Sequence, residues 1–196
     1  MSISSSQAAL DPASAARVLE GTVTQSGRRL LDLSADAPVL LVFLRHAGCT
    51  FCRETLSDLS DNRSGIEASG TRIVIVHMGD PGSMEDLLSK YALVGIDRIV
   101  DPQQELYRTF GLKRGTLRQL FGLTVWNRGL LGGALARHGI GRFQGDIAQM
   151  PGLFLIHQGA IVKRFRHRSV ADRPDYATLG VAVADPLMQK IQNPTE

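Results

Sequence analysis

Cys49 and Cys52 are the only cysteines in the chain, and they stand three residues apart in Cys49-Thr50-Phe51-Cys52. Two thiols at that spacing can close a disulfide with each other and exchange two electrons with a partner. The chemistry needs a thiolate, so the local structure must favour the anion at one sulfur. The residues just before the pair, Val39-Leu40-Leu41-Val42-Phe43-Leu44, are all apolar, which suits a strand buried on both faces of a sheet. Arg45-His46-Ala47-Gly48 breaks that run, and Cys49 opens what reads as a helix. A helix N-terminus stabilises an anion, so the pKa of Cys49 is expected to be lowered. Cys49 is then the attacking thiol. Cys52, one turn further on, is the resolving one.

Two plainer readings compete: a pair of inert buried thiols, or half of a zinc site. A structural zinc site normally needs four ligands, and the chain has no second cysteine pair. His46 and His77 would complete one only by accident of folding, so no metal is expected. His46 is also a candidate to take the proton from Cys49, as in other Cys–His pairs. Arg45 and Arg53 flank the pair, and a cation beside a thiol lowers its pKa. The alternative for both arginines is a solvated surface position.

With 196 residues, 43% of them hydrophobic, the chain is long enough for one sizeable core, and a single domain over 1–196 is expected. So few cysteines argue against a disulfide-stapled secreted scaffold. The first residues lack a basic region followed by an apolar one, so no secretory signal is read there. No apolar run approaches the roughly 20 residues that cross a bilayer. A cytoplasmic location is the resulting expectation, with the dithiol resting reduced. The net charge of +3 does not by itself imply nucleic acid.

Around the thiol pair the pattern alternates between helix and strand. Asp11 and Pro12 open a first helix. Gly21–Thr24 and Arg29–Leu33, about a turn at Gln25-Ser26-Gly27, read as a short hairpin. After the buried strand, a helix runs from about Thr50 into the sixties, with Leu56, Leu59 and Ile66 on one face. Thr71–His77 is a second buried strand, and Ser83–Tyr91 a helix with Ser83 as its cap. Arg98–Asp101 is a short strand and Gln103–Phe110 a short helix, stopped by Gly111. Gly152–His157 and Ala160–Phe165 form a hairpin about Gln158-Gly159. Asp175–Gln192 is a weaker helical tail, interrupted at Pro186. The whole is α/β with a central mixed sheet flanked by helices.

The strand–CxxC–helix unit, the Pro before the later strand in Met150-Pro151-Gly152-Leu153-Phe154-Leu155, and the hairpin after it resemble the thioredoxin fold. Asp101–Leu112 is similar to a stretch that peroxiredoxins carry between the same elements. Arg45–Glu54 looks most like the peroxiredoxin-like branch of the alkyl hydroperoxide reductase and thiol-specific antioxidant superfamily. The resemblance covers roughly Gly21 to Arg168. It implies a cis Met150–Pro151 bond that places Pro151 against Cys49. It also implies an antioxidant thiol peroxidase or thiol-disulfide oxidoreductase that needs no cofactor beyond its thiols and is reset by an external thiol reductant. Two departures stand out. Peroxiredoxins place Pro seven and Thr three residues before the attacking Cys, where this chain has Val42 and His46. They also carry an Arg near the start of the later strand, where this chain has Met150-Pro151. Both departures favour a disulfide or bulky hydroperoxide over rapid turnover of hydrogen peroxide.

Beyond the plain thioredoxin plan the chain has an N-terminal extension and a basic, Gly-rich insertion at about 112–149. Tyr107 to Gly145 holds no acidic residue but carries Arg108, Lys113, Arg114, Arg118, Arg128, Arg137 and Arg142, with Leu120, Phe121 and Trp126 interleaved. Long connections of this kind are usually functional. The insertion reads as a cover packed on the sheet, with Trp126 and Phe121 as candidates to line a substrate pocket. Contact with an anionic membrane surface is a lesser alternative. A nucleic-acid role is not indicated, because the aromatics form no regular array with the basic residues. A reading of another class is a non-catalytic, redox-responsive binding module, in which the state of Cys49 and Cys52 resets the insertion toward a partner. Oligomeric state is not encoded in any of these features.

Overall fold

The computed structural model describes residues 12–45 (12–16 in their backbone), 48–116, 119, 120, 122, 125, 137 and 146–180. The helices are α1 (Pro12–Gly21), α2 (Leu30–Asp36), α3 (Thr50–Ala68), α4 (Pro81–Lys90), α5 (Glu105–Thr109) and α6 (Tyr176–Gly180). The strands are β1 (Val39–Phe43), β2 (Arg72–His77), β3 (Asp97–Val100), β4 (Gly152–His157) and β5 (Ala160–Arg166). They form one mixed sheet in the order β3-β2-β1-β4-β5. β1 runs parallel to β2, which runs parallel to β3; β4 is antiparallel to both β1 and β5. This is the thioredoxin-like architecture expected from the sequence. No helix among the described residues is long and apolar enough to cross a membrane.

Alternation along the strands sorts the apolar run of β1 into two cores. Leu40, Val42 and Leu44 share a cluster with Ile73, Ile75, Leu153 and Leu155, closed by Leu56, Leu59 and Ile66 of α3 and by Met84, Leu87 and Leu88 of α4. Both cysteines belong to this cluster. Val39, Leu41 and Phe43 point the other way, toward Val74, Val76, Phe154 and Ile156, and are closed by Leu19, Leu30, Leu33, Leu106, Tyr107 and Phe110. That second face is aromatic: the Phe43 ring lies 5.0 Å from Tyr107, 5.1 Å from Phe110 and 5.6 Å from Phe154. Both faces of β1 are buried, which is why its sequence shows no alternation.

Four expectations are corrected. Arg29–Leu33 is not the second arm of a hairpin: beyond the single bridge Val23–Arg29 the chain turns into α2. Leu30 and Leu33 then fall on one helical face and both reach the core, which a strand would not allow. The cap of α4 is Asp80 rather than Ser83; its carboxylate accepts from the Ser83 N–H at 2.8 Å, and Pro81 sits in the first turn. α5 starts at Glu105 rather than Gln103, because the Asp101 carboxylate accepts from the amides of Glu105, Leu106 and Tyr107. The Met150–Pro151 bond is trans, as no peptide bond among the described residues is cis. Trans is the lower-energy isomer by about 0.5–1 kcal/mol. The tail expected as far as Gln192 is helical at Tyr176–Gly180, and its residues beyond 180 lie outside the described residues.

Candidate thiol site

The carboxyl end of β1 delivers the chain to the head of α3, and the site forms at that junction. Cys49 is the N-cap of α3 and Cys52 lies in its first turn; both are buried thiols, not joined in a disulfide. Arg45, only 7% exposed, turns back over them. Its backbone N–H donates to the Cys52 sulfur at 3.3 Å, and its guanidinium Nη1 donates to the Cys49 sulfur at 3.4 Å. The rest of the guanidinium fork is held from the far side. Nε donates to the Gln149 carbonyl at 3.0 Å, and Nη2 donates to the Ile147 carbonyl. Among the described residues the guanidinium meets two carbonyl oxygens and a sulfur, and no carboxylate. Its charge acts on the Cys49 thiol and favours the anion there.

The Cys49 thiol is lowered to about 6. The hydrogen bond from Cys52 is the main cause; burial opposes it, and the Arg45 charge and the amides of Cys52 and Phe51 add to it. At neutral pH the anion then predominates at a sulfur shielded from water. A thiolate of that acidity with a second thiol beside it suits attack on an electrophilic sulfur or oxygen.

Gln149 holds the backbone that grips Arg45. It is 2% exposed, and its side-chain amide donates to the carbonyls of Leu112 and Met150 at 3.0 and 3.1 Å. The two ends of the expected insertion are zipped together here. Gly115 N–H donates to Ala148, Met150 N–H donates to Lys113, and Arg114 pairs with Asp146 at 2.9 Å. Leu120 and Val125 pack with Met150 and Val170 against Phe51, one of the two residues between the cysteines.

Of the residues singled out in the sequence, the structure thus brings together Arg45, Cys49 and Cys52. Arg53 lies half-buried on the first turn of α3, where its charge acts on the Tyr91 hydroxyl. Pro151 is buried at the head of β4, one residue before Gly152, which faces Phe43. His46, Phe121 and Trp126 lie outside the described residues. Sequence reasoning passed over Gln149 and Tyr107. A buried amide beside a Met-Pro step was the available signal for the first, since such a group must find partners. Among the described residues no three His, Cys, Asp or Glu side chains converge as metal ligands would.

A mixed thioredoxin-like sheet with a thiol pair at the head of the helix after its central strand defines the class of the molecule. The model of the AhpC/TSA antioxidant enzyme family matches residues 58–170, more than half of the chain, and the protein belongs to that family. The matched span begins just beyond Cys52 and covers the later part of α3 and β2 to β5, so β1, Arg45 and the thiol pair lie outside it. The chain is 27% identical to the prostamide/prostaglandin F synthase of Salmo salar, over 81% of this chain and 78% of that protein. It is 29% identical to peroxiredoxin-like 2C of Mus musculus, over 76% of each. In fold it is similar to the peroxidoxin BcpB of Mycobacterium tuberculosis, with a TM-score of 0.56 and 18% identity, over 82% of this chain and 89% of that one.

Proposed function

We propose that the protein is a thiol-dependent oxidoreductase that reduces an organic hydroperoxide or a disulfide through Cys49 and Cys52. The observation that carries this reading is the contact of the buried Arg45 guanidinium with the Cys49 sulfur at the head of α3. With a hydroperoxide, the Cys49 thiolate attacks the terminal oxygen. An S–O bond forms, the O–O bond breaks, and the alkoxide leaves as an alcohol after taking a proton. Cys52 then attacks the sulfenic acid; an S–S bond forms and water departs. With a disulfide substrate the same two attacks pass through a mixed disulfide instead. An external thiol reductant returns two electrons and restores both thiols. Relatives named for prostamide and prostaglandin F synthesis favour an organic substrate over hydrogen peroxide.

Mass spectrometry after one equivalent of an alkyl hydroperoxide tests the assignment. The natural protein should lose two hydrogens as the disulfide forms. Cys52→Ser should gain one oxygen at Cys49, and Cys49→Ser should stay unchanged. Oxygen addition at Cys52 in the Cys49→Ser protein would reverse the roles, and an unaltered natural protein would remove the activity.

One observation favours a second reading, a redox-responsive binding module. Arg45 joins the Cys49 sulfur to the Ile147 and Gln149 carbonyls, so a change at the sulfur reaches the base of the basic stretch. Multiple turnovers with a thiol donor would make that role secondary.

A further inference from the structure

We propose that Tyr107, from the opposite face of the sheet, is a positioning residue for Cys52 that acts through the Leu44–Arg45 peptide. That peptide unit has two hydrogen-bonding ends. Its carbonyl, on Leu44, accepts from the Tyr107 hydroxyl; its N–H, on Arg45, donates to the Cys52 sulfur at 3.3 Å. Tyr107 belongs to the aromatic core and Cys52 to the aliphatic one. The peptide at the end of β1 is where the two cores meet.

A donor bonded to an amide carbonyl draws electron density toward the oxygen and makes the N–H of the same peptide a better donor. A better N–H donor at a sulfur favours the thiolate over the thiol. The hydroxyl is built to remain a donor. Tyr107 is fully buried, and its hydroxyl is pushed well above its ordinary range by burial and by the charges of Cys52 and Asp101. The ring is fixed edge-on to Phe43 at 5.0 Å. The backbone of Tyr107 is tied to the Asp101 carboxylate through its own N–H. The Val76 carbonyl, 3.1 Å from the hydroxyl, is a second acceptor for it and receives the Leu44 N–H at 2.9 Å. Geometry therefore fixes the donor, the peptide and the sulfur together.

The inference rests on the proposed role of Cys52 as the resolving thiol, yet it is measured without turnover. In a Cys49→Ser background Cys52 is the single thiol, and its ionisation is followed by ultraviolet absorbance of the thiolate against pH. Adding Tyr107→Phe keeps the ring and removes the donor. Losing a polarisation worth roughly 10–30% of a charge-assisted hydrogen bond should lower the ionisation constant of Cys52 about two- to fivefold. Replacing Tyr107 by 3-fluorotyrosine, a stronger donor of nearly the same shape, should raise it. A packing role alone would not move the two variants in opposite directions. Should Tyr107→Phe fail to fold, the fluorinated variant alone decides. An unchanged ionisation constant in the folded variants, or shifts of the same sign, would overturn the relay, whatever the outcome with peroxide.

Discussion

The two faces of the sheet are built from the same strands but perform different work. The face under α3 is aliphatic and carries the two thiols, Arg45 and the His77 imidazole. The face under α1, α2 and α5 is closed by four interlocked rings, Phe43, Tyr107, Phe110 and Phe154. Groups on the first face are charged, a thiolate and a guanidinium that among the described residues meets no carboxylate, and such groups cost stability when buried. Rings at 4.9–5.6 Å in tilted and edge-on pairs supply dense, non-titrating packing on the second. In this molecule the thiol pair and the ring packing lie on opposite sides of a single strand, β1.

The largest effect should come from breaking the first face alone. Cys49→Ser is expected to abolish turnover while leaving the chemical unfolding midpoint nearly unchanged, because the rings lie across the sheet. Retained turnover would mean that the reactive centre is elsewhere. The mirror experiment breaks the second face. Phe154→Ala leaves a cavity among rings and should cost about 3–5 kcal/mol of stability. In that variant the half-ionisation of Cys49 should stay near pH 6, read by the rate of alkylation against pH. A large shift of that midpoint would show that the division between faces is not real.

These differences also decide what was readable in the sequence. The six apolar residues before Arg45 announce a doubly buried strand, and the Cys-Thr-Phe-Cys spacing marks the thiol pair at the head of α3, because both are local patterns. β4 and β5 were legible for the same reason, through the Gln158-Gly159 turn. Leu30 and Leu33 misled because two apolar residues in a short window fit a strand or a helix, and only contact with α1 settles it. Arg45 could be named as a candidate but not placed: its burial depends on carbonyls at 147 and 149, a hundred residues away. Tyr107 was invisible as a partner of the site, since its role is a hydrogen bond to the far end of β1. The cis proline came from the resemblance rather than from a local pattern, and it failed.

A smaller effect separates the faces by pH. His77 is fully buried, and burial, with the Arg98 charge, lowers it to about 4. His167, beside Pro151, is likewise lowered to about 4, chiefly by burial. Unfolded, each titrates near its ordinary value of about 6.5. The unfolded chain then binds more protons between pH 6.5 and 4, so stability falls as pH drops through that window and levels off below it. The loss should reach on the order of 3 kcal/mol per imidazole. Denaturation at stepped pH checks this, and His77→Leu should flatten about half of the slope. An unchanged slope would place the acid sensitivity outside this face.

Arg45 gives the smallest shift and the sharpest separation of chemistry from cohesion. Its charge is one of several causes that hold Cys49 near 6, and the hydrogen bond from Cys52 is larger. Arg45→Met should therefore raise the half-ionisation of Cys49 by only about one pH unit, a partial return toward an ordinary thiol. The sign follows from the charge: losing the cation disfavours the anion, so the thiolate appears at higher pH. Alkylation of Cys49 at pH 6 should slow about fivefold, and the two proteins should converge above pH 8, where both are ionised. The same change leaves the Ile147 and Gln149 carbonyls without their donor, at a cost of about 1–3 kcal/mol. Arg45→Lys tells the two losses apart. Lysine keeps the charge but cannot present the planar fork that spans a sulfur and two carbonyls. It should restore most of the alkylation rate at pH 6 while recovering little of the stability. Recovery of both would mean that charge alone fixes the loop. Recovery of neither would mean that Arg45 acts on the thiol by holding the 147–149 backbone in place, not by its field.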